Sequence, residues 1–463
     1  MLTRLRRAQT RTHPSTTLLR SAYSLALNVI LTSGLGLGFW VLAARIFPSA
    51  TVGRDSALVA AMMTLSAICQ LNLLSALPRF LPIVRHRPER VVWGSYLLTG
   101  VVSVLGATAF VLIAPAASHS YRFLSARPAL GLLFVASVVV WGVFALQDAV
   151  LTAARRAVWV PVENAIFGVL KIAALPVTLA LASATPVFVA WNVPVVALVI
   201  PVNLFIFLRV LRTPLAAPGG LTPIERFGLR GLVRFLAADY AASVLMQAAC
   251  GLLPVLVVAL LGARSGAYFY MPFTLIVALD TMFAGVLQPL TVEGALAEAR
   301  LPELAREIVR HFGWLAVFAV VVLAGGASRI LALYGPEYAR HGAPVLRMIA
   351  LASLFRAITG TYMAICRVEG RAGRILATQV VTFVLVVALV AVLAPSHGLQ
   401  GVGVAWLVAN AVVTGGTIWH VIAVLRRPSR DAPEAAPPAT VPPAASPLPP
   451  PPAPEVPGGG TLR

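Results

Sequence analysis

Six charged side chains lie inside the long apolar segments of this sequence. A charge in hydrocarbon costs at least about 2.5–3.5 kcal/mol on insertion scales, so it normally faces a cavity or an oppositely charged partner. Such side chains are therefore the first candidates for binding a ligand. The three nearest the middle of an apolar segment are Lys171, Asp280 and Arg356, and the three nearer an end are Asp148, Glu163 and Asp239.

Lys171 is the only lysine in the chain. An ammonium group is a compact point charge that binds phosphate oxygens well. The alternative is a structural ion pair with Glu163. Eight residues of helix separate the two positions by about 12 Å along the axis, which is too far for a close contact unless both side chains extend toward each other. We therefore expect Lys171 to bind a ligand.

The other candidates each have a nearer potential ion-pair partner, so a structural role remains open for all of them. These alternatives are that Arg356 pairs with Asp280, that Asp148 and Glu163 pair with Arg155 and Arg156, and that Asp239 pairs with Arg230 or Arg234.

The composition indicates that lipid surrounds most of the chain. Of the 463 residues, 59% are hydrophobic and only 11% are charged, whereas a soluble domain has roughly 25% charged residues. Apolar runs of 18 or more residues are typical of membrane-spanning helices. The net charge of +20 comes from basic residues in short loops, a pattern of cytoplasmic loops in membrane proteins that argues against nucleic-acid binding.

The apolar runs predict an all-α membrane protein with about twelve spans, because open sheets cannot satisfy their backbone groups in lipid. Each run can cross about 30 Å of hydrocarbon as a helix. The predicted spans are residues 21–44, 56–78, 91–115, 129–151, 161–182, 186–208, 235–261, 266–290, 312–331, 345–366, 375–394 and 400–425.

The distribution of basic residues predicts the orientation. With the N-terminus in the cytoplasm, 26 of the 36 basic residues fall in inside segments and 8 in outside loops, and the remaining two are Lys171 and Arg356 within spans. Cytoplasmic loops are enriched in arginine and lysine. We therefore expect a multi-pass protein of the inner (cytoplasmic) membrane with both termini in the cytoplasm.

A repeated motif indicates an internal duplication. Val-Ala-Trp occurs at 189–191 in the sixth span and at 404–406 in the twelfth, about 215 residues apart. Six spans per half give both halves one orientation, the parallel-repeat plan of transporters with a site between the halves. Chance similarity among apolar helices is the alternative.

The predicted parts of the chain are a basic arm (1–20), a first six-helix bundle (21–210), a cytoplasmic linker (211–234), a second bundle (235–425) and a tail (426–463).

Two segments outside the spans have distinct patterns. Residues 291–311 have apolar side chains at helical spacing among acids and arginines, which predicts an amphipathic helix on the inner membrane surface. Residues 428–463 contain 13 prolines, which predicts an extended, disordered tail. Docking of partner proteins on this tail is one interpretation, and a tail without a function is the other.

Neither the cysteines nor the histidines indicate a metal site or a cofactor. Cys69, Cys250 and Cys366 each stand alone within an apolar run, and the seven histidines are scattered. This spacing is typical of neither a disulfide framework nor a zinc site.

Several stretches resemble the polysaccharide flippases of the multidrug, oligosaccharidyl-lipid and polysaccharide exporter superfamily. The resemblance covers roughly residues 20–425 and depends on the order and spacing of the stretches. It implies two six-helix bundles in a V, a central cavity and alternating access, with a polyprenyl-diphosphate-linked glycan moved from the inner to the outer leaflet. The stretches are ARIFPSATVGRDSALVAAMMTLSAICQLNLLSALPRFLP, VENAIFGVLKIAALPVTLAL, ILALYGPEYARHGAPVLRMIALASLF and APSHGLQGVGVAWLVAN.

Three other functions remain as alternatives. A drug/cation antiporter of the same superfamily would need a carboxylate set in one bundle, and the first bundle has only Glu163 near mid-span. A membrane glycosyltransferase, polymerase or ligase would need catalytic groups on a large external loop, yet Asp55 and Glu337 are the only acids in the predicted outside loops. A scaffold would act through its proline-rich tail, which could bind other polysaccharide-assembly proteins. We expect a transporter rather than an enzyme.

Overall fold

The computed structural model describes residues 32–83, 87–212, 240, 244–245, 247–248, 250–296 and 301–427. The predicted arm, most of the predicted linker, the proline-rich tail and Asp239 lie outside these residues. Every regular element among the described residues is helical, which confirms the all-α prediction.

The helices fall into two sets separated along the chain by the linker segment. We call residues 32–212 the first half and residues 240–427 the second half. The first half contains α1 (Thr32–Ile46), α2 (Ser49–Cys69), α3 (Leu73–Phe80), α4 (Pro88–Ala117), α5 (Arg122–Ala126), α6 (Pro128–Ala153), α7 (Trp159–Ala180) and α8 (Pro186–Phe205). The second half contains α9 (Cys250–Leu261), α10 (Ala263–Leu296), α11 (Leu301–Gly325), α12 (Ala327–Ala332), α13 (Pro336–Val368) and α14 (Ala372–Leu425).

The helix count agrees with the predicted twelve spans. Among the described residues, nine helices are long and apolar enough to cross a membrane, and α1 and α9 are shorter apolar helices. The 54-residue α14 is interrupted at Gly398, whose φ of 58° and ψ of −139° are not helical. Glycine adopts positive φ without a steric penalty. Division of α14 at Gly398 turns these eleven helices into twelve spans.

The structure corrects two predicted segments. The second span begins at Ser49 rather than residue 56 and ends at Cys69, because Leu71 and Asn72 adopt positive φ angles of 50° and 61° and interrupt the helix before α3. The predicted amphipathic helix over 291–311 is wrong as a separate element. Residues 291–296 are the end of α10, and residues 301–311 are the start of α11.

The two halves join at one end. The Arg45 side chain donates from Nε to the carbonyl oxygen of Leu333 at 2.8 Å and from Nη2 to that of Ala332 at 2.9 Å. The Tyr121 hydroxyl donates to the carbonyl oxygen of Val255 at 3.0 Å. Burial raises the pKa of Tyr121, so its hydroxyl remains protonated and able to donate. By the predicted topology, this joined end is the outer one.

A close backbone approach accompanies these hydrogen bonds. A Cβ atom at Gly53 in α2 would overlap the carbonyl oxygen of Ala263 and lie 2.6 Å from the amide nitrogen of Ala267 in α10. Only glycine permits this separation. The helices α2 and α10 therefore hold the halves together through backbone contact as well as side chains.

At the opposite end the halves have separate apolar cores. A large cluster of buried side chains draws on both halves and includes Phe39 and Trp406. Two smaller clusters each belong to one half: one contains Leu81 and Val150, and the other contains Leu301 and Ile365. We call this end the separated end, although one hydrogen bond still links the halves near the end of α2, from the Tyr240 hydroxyl to the carbonyl oxygen of Ile68 at 2.7 Å. The arrangement agrees with the two helical bundles that the family resemblance implies.

Candidate functional site

Lys171 lies in α7 with its side chain surrounded by aromatic rings. Its Nζ is 4.1 Å from the ring centre of Trp191, 4.8 Å from that of Phe167 and 5.4 Å from that of Phe39. All three distances are within the roughly 6 Å over which a ring face attracts a cation. We call Phe39, Phe167 and Trp191 the aromatic box. Lys171 is 5% exposed, so the box encloses almost the whole side chain.

The ammonium of Lys171 has no carboxylate counter-ion in the described part of the chain. No Asp or Glu oxygen there comes within 4.0 Å of its Nζ. The proposed structural pair with Glu163 is therefore absent. Ring faces stabilise the charge of Lys171 while leaving its hydrogen-bond donors available for a ligand.

The aromatic box lies directly behind the junction of the halves. Trp40 in α1 contacts Trp191 with ring centres 5.6 Å apart, and on its other side it contacts Tyr270 of the second half at 4.8 Å. Trp40 thus lies between Trp191 of the box and Tyr270 of the second half in this conformation. Separation of the halves at this level would break the Trp40–Tyr270 contact and uncover one wall of the box.

Arg356 and Asp280 form an ion pair in the second half. Arg356 Nε donates to Asp280 Oδ2 at 2.7 Å, and the two side chains are 20% and 17% exposed. The structural alternative for these residues is thus confirmed as a contact. The pair lines a cavity of about 320 Å³ together with Arg367, Gln247 and Gln288. The two arginines give this cavity more positive than negative charge.

The repeated Val-Ala-Trp motif brings a tryptophan next to a cation in each half. Trp191 contacts Lys171, and the Arg356 Cζ lies 5.2 Å from the ring centre of Trp406. Both indoles are buried, and neither Nε1 has a hydrogen-bond partner among the described residues. The cations come from helices that are not equivalent in the predicted repeat. The two tryptophans therefore occupy equivalent positions in the predicted repeat, whereas the two cations do not.

Asp148 and Glu163 lie together at the separated end of the first half. They are close enough to interact electrostatically. Asp148 Oδ2 accepts from Asn164 Nδ2 at 3.5 Å, and neither Glu163 oxygen has a hydrogen-bond partner among the described residues.

The alternative that Asp148 and Glu163 pair with Arg155 and Arg156 is not observed among the described residues. Arg155 and Arg156 are both exposed. Arg155 adopts a positive φ of 57° in the turn that ends α6. The partly buried Asp148 and the buried Glu163 therefore form an acidic pair without an arginine partner in the described structure. The pair is separate from both Lys171 and the Arg356–Asp280 pair.

Sequence reasoning missed the role of Asp55. This residue was assigned to an outside loop, but it is fully buried within α2. Its Oδ2 accepts the backbone N–H groups of Val187 at 2.9 Å and Phe188 at 3.3 Å. These are free donors at the start of α8, which has no cap of its own. Asp55 thereby fixes the helix that carries Trp191, and no local pattern at residue 55 indicates a partner 132 positions away.

A larger surface groove of about 1050 Å³ runs between α4, α6 and α8. Its walls include the exposed apolar side chains Leu97, Val101, Leu105 and Ile200. Exposed apolar side chains on membrane-spanning helices face lipid, so this groove is not a site for charged chemistry.

No family model and no curated protein matches this chain. Solved structures do match it. A multidrug resistance MATE family transporter of the MOP superfamily, in an inward-facing conformation, is 15% identical over 85% of this chain and 94% of its own, with a TM-score of 0.61. The lipid II flippase MurJ, in an inward closed conformation, is 13% identical over 86% of this chain and 88% of its own, also with a TM-score of 0.61.

The fold is that of MOP-superfamily transporters. Another member, a transporter from Pyrococcus furiosus described by the reverse polarity of its binding pocket, is 14% identical with a TM-score of 0.52 and covers 88% of this chain and 96% of its own. At these identities the likeness concerns the fold alone. Together with the apolar helices, it establishes a multi-pass membrane protein.

Proposed function

We propose that the protein is a flippase that moves a polyprenyl-diphosphate-linked oligosaccharide from the inner to the outer leaflet of the cytoplasmic membrane. The observation that carries this proposal is the ammonium of Lys171, enclosed by rings near mid-membrane without a carboxylate. An unneutralised cation at this depth is costly unless it serves a ligand. A diphosphate group supplies the opposite charge and accepts the hydrogen bonds that rings cannot accept.

The second half contributes positive charge to the same cargo. Arg356 retains donors beyond the one that contacts Asp280, and Arg367 lines the same cavity. The orphaned indole donors of Trp191 and Trp406 offer further hydrogen bonds to oxygen-rich groups. One protein that shares the fold, the lipid II flippase MurJ, supports this assignment by its description.

Alternating access follows from the way the halves are joined. The joined end, with Arg45 and Tyr121, and the separated end, with its two independent cores, describe one of the two states such a mechanism needs. The site residues Lys171, Arg356 and Asp280 lie in the spans between these ends. We propose that separation at the joined end releases the cargo outward.

The test is glycan export by Lys171 variants together with protein level. Lys171→Ala should abolish export at near-normal expression, Lys171→Arg should retain part of it, and Lys171→Glu should be worse than alanine because it repels the cargo. Adding Glu163→Ala should not restore Lys171→Ala, because the two side chains do not pair. Normal export by a well-expressed Lys171→Ala protein would exclude the assigned site.

A drug/cation antiporter is the second candidate, and the acidic pair is the observation that favours it. The partly buried Asp148 and the buried Glu163 lie close together without a basic partner among the described residues, an arrangement that favours a bound proton or cation. Efflux of a lipophilic dye against a proton or sodium gradient, lost in Glu163→Gln, would support this candidate. Dye retention equal in cells with and without the protein would exclude it.

The enzyme alternative receives no support from the two outer acids. Asp55 is occupied as a helix cap. Glu337 lies at the surface, where its carboxylate is 3.5 Å from His341 Nε2 and accepts from the Tyr268 hydroxyl at 3.3 Å. The two carboxylates therefore serve separate structural contacts and do not form a catalytic pair.

A further inference from the structure

The aromatic box around Lys171 has the chemistry of an organic-cation site. Three ring faces surround the ammonium at 4.1 to 5.4 Å, and no carboxylate of the described chain takes part. Aromatic cages of this kind bind ammonium ligands through the negative charge on their ring faces. In this protein the cation is part of the chain. The ammonium of Lys171 therefore occupies the position that a free cation would take.

We propose that Lys171 determines specificity by occupying this box, so that organic cations are excluded and only anionic cargo is accepted. An approaching cation would find the ring faces already occupied and would meet a charge of its own sign. An anionic group is attracted by the same ammonium. The inference deepens the proposed function and rests on its assignment of Lys171 to the cargo path.

The remaining surroundings of the box agree with this assignment. Phe39 is fully buried and Phe167 is 6% exposed, so the walls are held by packing. Trp141 also contacts Trp191, with ring centres 6.1 Å apart, and Phe167, at 5.9 Å. The rings therefore support one another independently of Lys171. Shortening Lys171 should leave an aromatic box that is still formed and is open to a small cation.

The test uses n-propylammonium, which matches the Cγ-to-Nζ fragment that Lys171→Ala removes. Tryptophan fluorescence of the purified full-length protein is titrated with this amine. Lys171→Ala should give a saturable response at a concentration at least about tenfold lower than wild type. Lys171→Met is the matched control, because it fills the box without a charge, and it should respond like wild type. The neutral probe n-propanol should give no such response in any variant.

Removal of the nearest ring checks that the response comes from the box. Lys171→Ala combined with Trp191→Leu should lose the saturable response. A folded Lys171→Ala protein that responds no better than Lys171→Met would overturn the proposal, and so would a wild-type protein that responds as strongly as Lys171→Ala.

Protein recovery provides a second readout. If Lys171→Ala is monodisperse only when n-propylammonium is present during purification, the box binds the amine and the proposal is supported. Failure to recover it under either condition, while Lys171→Met is recovered, would contradict the proposal.

These outcomes are independent of the flippase assignment. A Lys171→Ala protein that binds the amine and exports glycan normally refutes the flippase site but supports the proposed role of the box. A Lys171→Ala protein that does not bind the amine and has lost export refutes the box proposal and leaves the flippase site supported.

Discussion

At the residue scale, the candidate charges divide into three kinds of environment. Lys171 is held by rings, Arg356 is held by both a carboxylate and a ring, and the Asp148–Glu163 pair has neither. In water these differences would matter little. In a low-dielectric interior each environment sets what the group still requires. Lys171 requires an anion, Arg356 is already neutralised by Asp280 but keeps free donors for a ligand, and the acidic pair requires a proton or a cation.

The Arg356–Asp280 pair should show strong coupling in stability. Arg356→Met or Asp280→Leu alone leaves one buried charge uncompensated, at a cost of about 3–5 kcal/mol, whereas the double substitution removes both charges. Thermal unfolding in detergent should show two destabilised single variants and a double variant close to wild type. A double variant as unstable as the sum of the singles would contradict the pairing.

Glycan export by the same double variant separates structure from cargo binding. If Arg356 contacts the diphosphate, the stable double variant should lose export. Stability and export that recover together would assign the pair a structural role only.

Much of this residue-scale description could be predicted from the sequence, and part of it could not. The mid-span positions of Lys171, Asp280 and Arg356 follow from hydropathy alone, as does the possibility of an Asp280–Arg356 pair. The aromatic box could not be predicted, because Phe39, Phe167 and Trp191 come from three helices whose relative rotation is set by packing. The burial of Asp55 depends in the same way on a partner helix distant in sequence.

At the element scale, the positions of helix ends decide where the site residues lie. Apolar run length predicted the number of spans, because hydrocarbon thickness fixes helix length. It did not predict the break at Leu71 and Asn72, the end of α10 at Leu296 or the start of α11 at Leu301. These depend on single backbone conformations and on packing between helices, which hydropathy averages away.

Asp55 should stabilise the helix that carries Trp191. Asp55→Ala removes the acceptor for two backbone donors at the start of α8, and loss of such a cap costs about 0.5–2 kcal/mol. The melting temperature in detergent should fall. Glu337→Ala, an exposed acid at the same end, is the control and should change it little. Equal melting temperatures for the two variants would show that the Asp55 cap does not stabilise α8.

Gly53 should control the closure of the joined end. Gly53→Val adds atoms where the α10 backbone already lies, so the halves should separate there. In a cysteine-free background, cysteines replacing Arg45 and Leu333 should be joined by a short thiol cross-linker several-fold less efficiently when Gly53→Val is present. Gly94→Val, at a position with no neighbouring atoms within 4 Å, is the matched control. Unchanged cross-linking in Gly53→Val would contradict the tight α2–α10 contact.

At the scale of the whole molecule, the proposed direction of transport depends on which end faces the cytoplasm. The orientation comes from the basic residues of the loops and predicts that the joined end faces outward. Cysteines at Ala117 and Gly262, both at the joined end, should react with an impermeant thiol reagent added to intact cells. A cysteine at Gly220, in the predicted linker, should not. Labelling of the Gly220 variant from outside would reverse the orientation and, with it, the state that the structure represents.

Translocation in a purified system measures the proposed flippase activity itself, together with the role of Lys171 in it. Wild-type protein and Lys171→Ala are reconstituted into vesicles that contain a polyprenyl-diphosphate-linked oligosaccharide, and the fraction of glycan reaching the opposite leaflet is followed with an impermeant glycan-modifying enzyme. We expect the wild type to translocate the glycan faster than protein-free vesicles do. We expect Lys171→Ala to translocate it at a rate near that of protein-free vesicles. Equal translocation by the two proteins, or none by a correctly folded wild type, would contradict these expectations.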